Sequence, residues 1–507
     1  MAGIAVLFSC IIWSCDYSNH PSVSFQAGKQ EIVQSYGSSL IENLPIPGLS
    51  VVIINKDSIF YQSFGSASLS QEKTTTLENS TPMFTGNISP IMVITGILNL
   101  AQQGKIKLDD PVVKHLPYFT LAESFVSPMT IHHLMSQTGG IPVHQSIWDQ
   151  PDFSADALSR TTQSIRFQTP EFYPAGSRVK RSAYNFDILA DLIAKVSKMD
   201  FEDYMKTSIL KPLDMNSSFF MKASNEKDKV ALPHKITNPL SYQIDTVGIY
   251  PANREHSGSI GFHSSAEDLA SWMYMLLHDG RTTKGEKFLS KKFTELAFTS
   301  LPIDSNTGIG YGWEITESKE GKIYEQGSKM GGFTSHILMN PKEQIGVALI
   351  SNIASDFDLS PLCWQFIYWL KNGGELPKVQ PLLAKTLGKK FLETKSIDKV
   401  MESYDLLKVA SPKVYDYSLP SVSQLGVNLL YKASEPQAAI QLYTEILKRF
   451  PKDPEAYLNL AESYYQVKQW SGCKENLEYA KQLLSDKSTN PDLQSRIQLL
   501  QEAILEK

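Results

Sequence analysis

The sequence predicts an α+β unit built on an antiparallel sheet flanked by helices, followed by an all-α unit. Three observations carry this. Strand-like stretches open and close the first two thirds of the chain, at Gly48 to Ser66 and again from Gly308 to Asn352, with helical spacing between them. After Asn372, Gly373 and Gly374 the pattern turns to helical periodicity with few strand signals. Within that later part Pro420 and Pro454 stand 34 positions apart (454 minus 420), the period of a helical repeat. A chain of 507 residues also exceeds what one core holds, since cores stop growing near about 250 to 300 residues. The expected organisation is a leader at 1–15, a tether at 16–28, the α+β unit at 29–372 and the helical unit at 376–507.

Composition is that of an ordinary globular protein, with 42% hydrophobic and 20% charged residues, and a formal net charge of -5 gives no basis for nucleic-acid binding. The four cysteines do not form a disulfide framework: Cys10 and Cys15 lie in the apolar start, and Cys363 and Cys473 fall in different units. Ala2 to Trp13 is an apolar run, too short for a span of about 20 residues, and it reads as the core of a signal peptide. It ends in Ile12, Trp13, Ser14 and Cys15, which resembles a bacterial lipoprotein cleavage box with Cys15 as the acylated residue. No Lys or Arg precedes Cys15, so either the start lies upstream of Met1 or the run is a buried strand. The expected location is the cell envelope outside the cytoplasm, with a lipid anchor in a membrane.

From Asp16 to about Ala27 the chain is polar, as a flexible tether is. Ile32 to Leu44 has helical spacing, and Gly48 to Ser66 reads as a hairpin turning at Asn55, Lys56 and Asp57. In FTGNISPIMVITGILNLAQQGKIKLDDPV, from Phe84, the apolar Ile91, Ile94, Leu98 and Ala101 share one helical face and Gly104 closes the helix. Asp109, Asp110 and Pro111 form a turn, and Thr130 to Pro142 is a short helix ending in a glycine turn. His132 and His133 there read as a structural pair, because no other ligand type sits at zinc spacing; no metal and no cofactor is expected. Pro174 to Val196 is a turn feeding a helix, and Ser257 to Leu277 a glycine turn and helix with Ser265 or Ser264 as N-cap. Gly308 to Ile315, Lys322 to Gly332 and Phe333 to Asn352 are the returning strands.

These segments, in this order and spacing, resemble the β-lactamase-related serine hydrolases: class C β-lactamases, DD-peptidases and penicillin-binding-protein-like esterases. The resemblance runs from about residue 29 to 372 and implies a β-lactamase/transpeptidase-like fold with a helical subdomain. It also implies a Ser made nucleophilic by a Lys three residues on, a Tyr-x-Asn, and a His or Lys-x-Gly strand beside the oxyanion donors. A Lys one turn along a helix lies on the same face as the Ser. Aligned on Gly86, Gly104 and Asp110, the Ser place holds Asn87 and the Lys place Pro90. An amide nitrogen is delocalised and proline has nothing to titrate. Ser89 has Met92, a thioether, where its base would stand, and Ser89 with Pro90 reads as an N-cap and first-turn pair. Anchoring on Gly176, Arg178 and Leu189 puts Arg181, Ser182 and Ala183 in the second motif, with Tyr184 and Asn185 adjacent. Counting back from Gly332 and Phe333 gives Gln326, Gly327 and Ser328 in the third, with Lys329 displaced by an odd number so that it faces away.

The implied groove keeps backbone donors and gains basic groups. Asn87, Arg181, Gln326 and Lys329 are the candidate ligand-binding residues, and Arg181 with Lys180, Arg178 and Lys329 suits an anionic small molecule or peptidoglycan fragment. In the helical unit, Tyr457, Leu460, Ala461, Tyr464, Cys473 and Ala480 stand where a tetratricopeptide repeat places its packing residues. The preceding repeat has Leu425, Gly426, Ala439, Tyr443 and Pro451, with one extra residue near Ser434 to Pro436. Leu383 to Leu407 adds a third helical pair and Pro491 opens a final helix. The leading expectation is a catalytically degenerate envelope lipoprotein whose helical unit buttresses the first or holds a protein partner. The alternatives are a divergent esterase or D-amino-acid peptidase, and a chain in which the helical unit is the functional part and the first only a spacer.

Overall fold

The computed structural model describes residues 25–69, 74–121, 128–143, 151–222, 230–248, 250–304, 306–319, 321–354, 357–485 and 491–505. The expectations for the leader and for Cys15 lie outside these residues. At the centre is a nine-stranded antiparallel sheet in which the first hairpin and the three last long strands are neighbours, Ser58–Leu69, Gly48–Asn55, Ile345–Ser351, Phe333–Asn340 and Gly321–Met330 in that spatial order. The hairpin turns at Lys56, which takes a left-handed φ of 53°.

Alternation along these strands makes two faces. Leu49, Val51, Ile53, Leu338, Val347 and Leu349 pack under the Ala27–Asn43 and Ser360–Asn372 helices. Val52, Ile54, Ile337, Met339, Ala348 and Ile350 point the other way, into a larger core with the Ser89–Gln102, Tyr184–Ser197 and Ala266–Leu277 helices. The Ser89–Gln102 helix is apolar all round and buried through Leu100, as a helix at the middle of a core must be. Ser265 caps Ala266–Leu277 by accepting from the Asp268 N–H. Asp110 ties its turn together, accepting from the Lys107 N–H at 3.0 Å and from Lys114 at 2.7 Å.

The helical part forms three pairs and a terminal helix: Leu383–Thr394 with Ile397–Ala410, Leu419–Val427 extended through Asn428–Lys432 to meet Pro436–Arg449, Pro454–Gln466 with Trp470–Ser485, and Pro491–Leu505. The extra residue of the second pair is absorbed by a π-helical turn at Asn428–Lys432, followed by Ser434 at a φ of 56°. A one-residue insertion in a helix is accommodated in this way, by widening one turn. The free thiols of Cys363 and Cys473 are both buried, in separate cores. Among the described residues no helix is long and apolar enough to cross a membrane.

Candidate functional site

The site is built where the start of the Ser89–Gln102 helix meets the Gly321–Met330 strand. Gly86 to Ile88 form a single tight turn ahead of the helix. Gly86 has a φ of 54°, and an added Cβ would stand 2.1 Å from Ser328 Oγ, so only glycine fits both the backbone and the space. The turn is pinned on two sides: the Thr85 hydroxyl donates to Phe262 O at 2.8 Å, and the Ser335 hydroxyl donates to Thr85 O at 2.8 Å.

Asn87 is half-buried, and its Nδ2 donates to the Gly327 carbonyl at 3.2 Å. The place of the expected nucleophile is therefore a tie between helix start and strand. Pro90 is buried in the first turn of the helix. Ser89 is not the N-cap that the sequence suggested: its own φ and ψ, -49° and -47°, are helical, and its hydroxyl accepts from the Phe262 N–H at 2.8 Å. That hydroxyl is fully buried and its bond goes to a peptide group, not a base.

Gln326 and Ser328 lie on the sheet face that meets the helix, the face on which Ser335, directly opposite Ser328, reaches Thr85. Gln326 Oε1 and Ser328 Oγ are both buried, and neither has a hydrogen-bond partner among the described residues. Lys329 is exposed and, one residue on, projects from the other face. It does not join Asn87 and Gln326, which corrects the expectation that it lines the groove: strand alternation places it elsewhere.

The second region holds its backbone through Gln137, whose Oε1 accepts from the Ser182 N–H and from Asn185 Nδ2, both at 2.8 Å. Ser182 donates to Pro142 O at 2.5 Å. Asn185 and Tyr184 are buried, with Tyr184 bonded from Gln168 at 3.5 Å, so the shifted register supplies no Tyr-x-Asn to the groove. Ala183 is half-buried at the head of the Tyr184–Ser197 helix and offers only a methyl group. Arg181 is exposed and ion-paired with Glu314, and Lys180 lies 3.5 Å from Glu171. Two members of the basic cluster expected from the sequence, Arg181 and Lys180, are thus compensated by acids, one at the root of a neighbouring strand, which residue spacing gave no means to foresee. An exposed pair of this kind contributes about 0 to 1 kcal/mol.

His132 and His133 both have hydrogen-bond partners. His132 Nδ1 is 2.6 Å from the Tyr311 hydroxyl, and His133 Nδ1 accepts from the Thr130 N–H at 3.1 Å while Thr130 caps the helix. Beneath the Gly86 turn, His263 is buried between the stacked rings of Phe219 and Tyr250, with Phe84 at its edge. Burial lowers its pKa to about 4. Sequence reading passed over His263 and Gln137; the first sits in a strand of three residues, the second in a turn, and neither has a patterned neighbour. Among the described residues no group of three or more His, Cys, Asp or Glu side chains is placed to hold a metal.

Comparison with known proteins agrees with this architecture. The family model "Beta-lactamase" matches residues 38–367, more than half of the chain, and a tetratricopeptide repeat model matches residues 430–480. Protein flp of Staphylococcus aureus is 27% identical over 320 residues, which is 62% of this chain and 61% of that protein, so the chain spans about three fifths of that relative. The D-alanyl-D-alanine-carboxypeptidase/endopeptidase AmpH of Escherichia coli is 21% identical over 63% of this chain and 83% of its own. Among solved structures, the octameric penicillin-binding protein homologue from Pyrococcus abyssi aligns with a TM-score of 0.56 at 25% identity, over 73% of this chain and 82% of that one. The β-lactamase/D-alanine carboxypeptidase from Yersinia pestis aligns at 0.55 and 19% identity, over 68% and 98%, a likeness of fold. With its sheet, its central helix and the matched span in agreement, this chain belongs to the β-lactamase family and carries a tetratricopeptide region behind that domain.

Proposed function

We propose that the first domain is a non-catalytic member of its family, a binding or scaffold domain of an exported lipoprotein anchored through Cys15. The observation that carries this reading is Asn87, tied to Gly327 O at the head of the central helix with Pro90 in the place of the base. Removing the nucleophile of a hydrolase typically costs on the order of a million-fold in rate. The hydroxyl two residues further along the helix start, that of Ser89, is buried against a peptide N–H.

The place where the family's site would lie is lined by neutral polar groups. Gln326 and Ser328 leave buried atoms without partners, and each such atom costs about 1 to 3 kcal/mol until a ligand or water pairs with it. Arg181 and Lys180 already have carboxylates beside them, which favours a peptidoglycan fragment, rich in amides and hydroxyls, over a simple anion. Binding of muropeptides is expected by titration calorimetry, and no heat at millimolar ligand sinks this ligand class. Incubation with a fluorescent penicillin and with an activated ester is expected to leave the chain unlabelled and the ester unhydrolysed. Covalent labelling or turnover, abolished by Asn87→Ala or Ser89→Ala, would instead establish a divergent hydrolase. For the anchor, Cys15→Ala is expected to move the expressed chain from the membrane fraction to the soluble one; an unchanged distribution removes the lipoprotein assignment.

A further inference from the structure

The helical domain is not free-standing. A two-stranded hairpin, His234–Asn238 with Gln243–Thr246, projects from the first domain and ends in the loop Asn238–Tyr242. Its root is fixed at the sheet: the His234 N–H donates to Asn352 O at 3.0 Å, and His234 Nε2 accepts from the Leu69 N–H at 3.1 Å. Its tip is shaped by Asn238, whose Oδ1 accepts from the N–H groups of Leu240 and Ser241 at 3.0 and 3.2 Å. Leu240 at that tip is 3% exposed and belongs to the core of the helical stack, together with Leu383, Leu387, Leu425 and Leu429.

The contacts come from the first helices of successive pairs. On Leu383–Thr394, Gly388 lies so close that an added Cβ would stand 2.1 Å from Leu240 O. In the π turn of the second pair, Asn428 donates to Pro239 O at 2.9 Å and to the Tyr242 hydroxyl at 3.0 Å, and its own Oδ1 accepts from Gln424 at 3.2 Å. Every polar atom of that side chain is used. The position one repeat later (462 minus 428 is 34) is Glu462, and it is also taken, by Arg496 of the terminal helix at 2.7 Å and by the Tyr431 hydroxyl at 2.8 Å. The face formed by these helices is the kind on which repeat stacks hold extended segments. Here it holds a carbonyl, a buried leucine and a tyrosine hydroxyl presented by a tight turn, with Tyr242 at a φ of 53°.

We infer that this face of the stack is a peptide-binding face whose resident ligand is the chain's own Asn238–Tyr242 loop. An external turn of the same chemistry, presenting proline, leucine, serine and tyrosine as Pro239 to Tyr242 do, engages the stack only by displacing that loop. The inference is independent of whether the first domain retains catalysis.

Two variants of the full chain test it. Gly388→Ala improves the intrinsic helix preference of its own segment while colliding with the Leu240 backbone, so any loosening comes from the loop contact. Leu240→Asn removes the anchor without changing any residue of the stack's own helices. In both, amide deuterium exchange across residues 236–246 is expected to rise about tenfold or more, as for a segment released to local opening. A fluorescein-labelled synthetic peptide of residues 234–246 is expected to bind the Leu240→Asn chain at about a tenfold lower concentration than the unaltered chain, whose face is already filled. Unchanged exchange in both variants, a peptide bound equally by the unaltered chain, or a peptide bound by neither overturns the proposal. Should Gly388→Ala fail to fold, Leu240→Asn decides alone.

Discussion

At the scale of single residues, the site is a set of replacements whose new partners are specific. Asn87, Pro90, Arg181 and Gln326 were legible in the sequence because the glycines and the Asp-Pro turn that bracket them keep family spacing. Their partners were not: Gly327 and Glu314 meet them only across the fold. Two buried titratable residues near the site make a testable pair. His263 has its pKa lowered by burial to about 4 from 6.5, so it is neutral in the fold. Its contribution to stability is intact above 6.5 and is lost as pH falls toward 4, because only the unfolded chain takes up the proton. Asp268, whose pKa is raised by burial from 3.8 to about 6, does the reverse: its contribution is present below 3.8 and lost as pH rises through 6. Each span corresponds to about 3 kcal/mol, so the two nearly cancel between pH 4 and 6.5. Urea unfolding at pH 4.5 and 6.5 checks this. Relative to the unaltered chain, His263→Phe is expected to gain stability on acidification and Asp268→Asn to lose it.

At the scale of elements, strands and helices followed from periodicity, and the departures have local causes. The central helix starts at Ser89 as expected of a delayed start, yet Ser89 serves the neighbouring Phe262 strand instead of capping its own helix. A helix start and a neighbouring strand both offer that hydroxyl an N–H, and the choice is made in three dimensions. In the helical stack the small residues were the readable signal. Gly426 lies under Tyr443, with an added Cβ 2.4 Å from the ring and 2.5 Å from its hydroxyl, which donates to Ser423 O at 3.1 Å. Gly426→Ala gains about 1 kcal/mol of helix propensity but overpacks a filled site, which costs about 1 to 3 kcal/mol, with a lost hydrogen bond besides. A net loss of stability, read as a lower denaturation midpoint of the stack's far-ultraviolet circular dichroism, is the expected outcome. An unchanged or higher midpoint would mean that Tyr443 is not held as described.

For the whole molecule, the sequence yielded two units and their order but not their contact, because the loop at Leu240 carries no periodic pattern that points to a helical stack. The distribution of cores predicts how the molecule comes apart. Cys363 sits between the sheet and the Ser360–Asn372 helix, whereas Cys473 belongs to a small terminal core that meets the docked half of the stack only along the Pro454–Gln466 helix, where Tyr464 packs against both. A short stack end opens at lower free energy than a central sheet. In rising urea, thiol labelling read by mass spectrometry is expected to mark Cys473 before Cys363, with neither marked in the native chain. Simultaneous labelling would show that the terminal helices unfold only with the sheet.

The π turn at Asn428–Lys432 has a consequence for engineering. To a consensus array, its surplus residue is an error to be trimmed, and trimming it would give three regular pairs. It would also rotate Asn428 away from Pro239 and Tyr242 and so unfasten one half of the chain from the other. An idealised replacement for this stack would fold better by itself and attach worse, because the irregular turn is the hook.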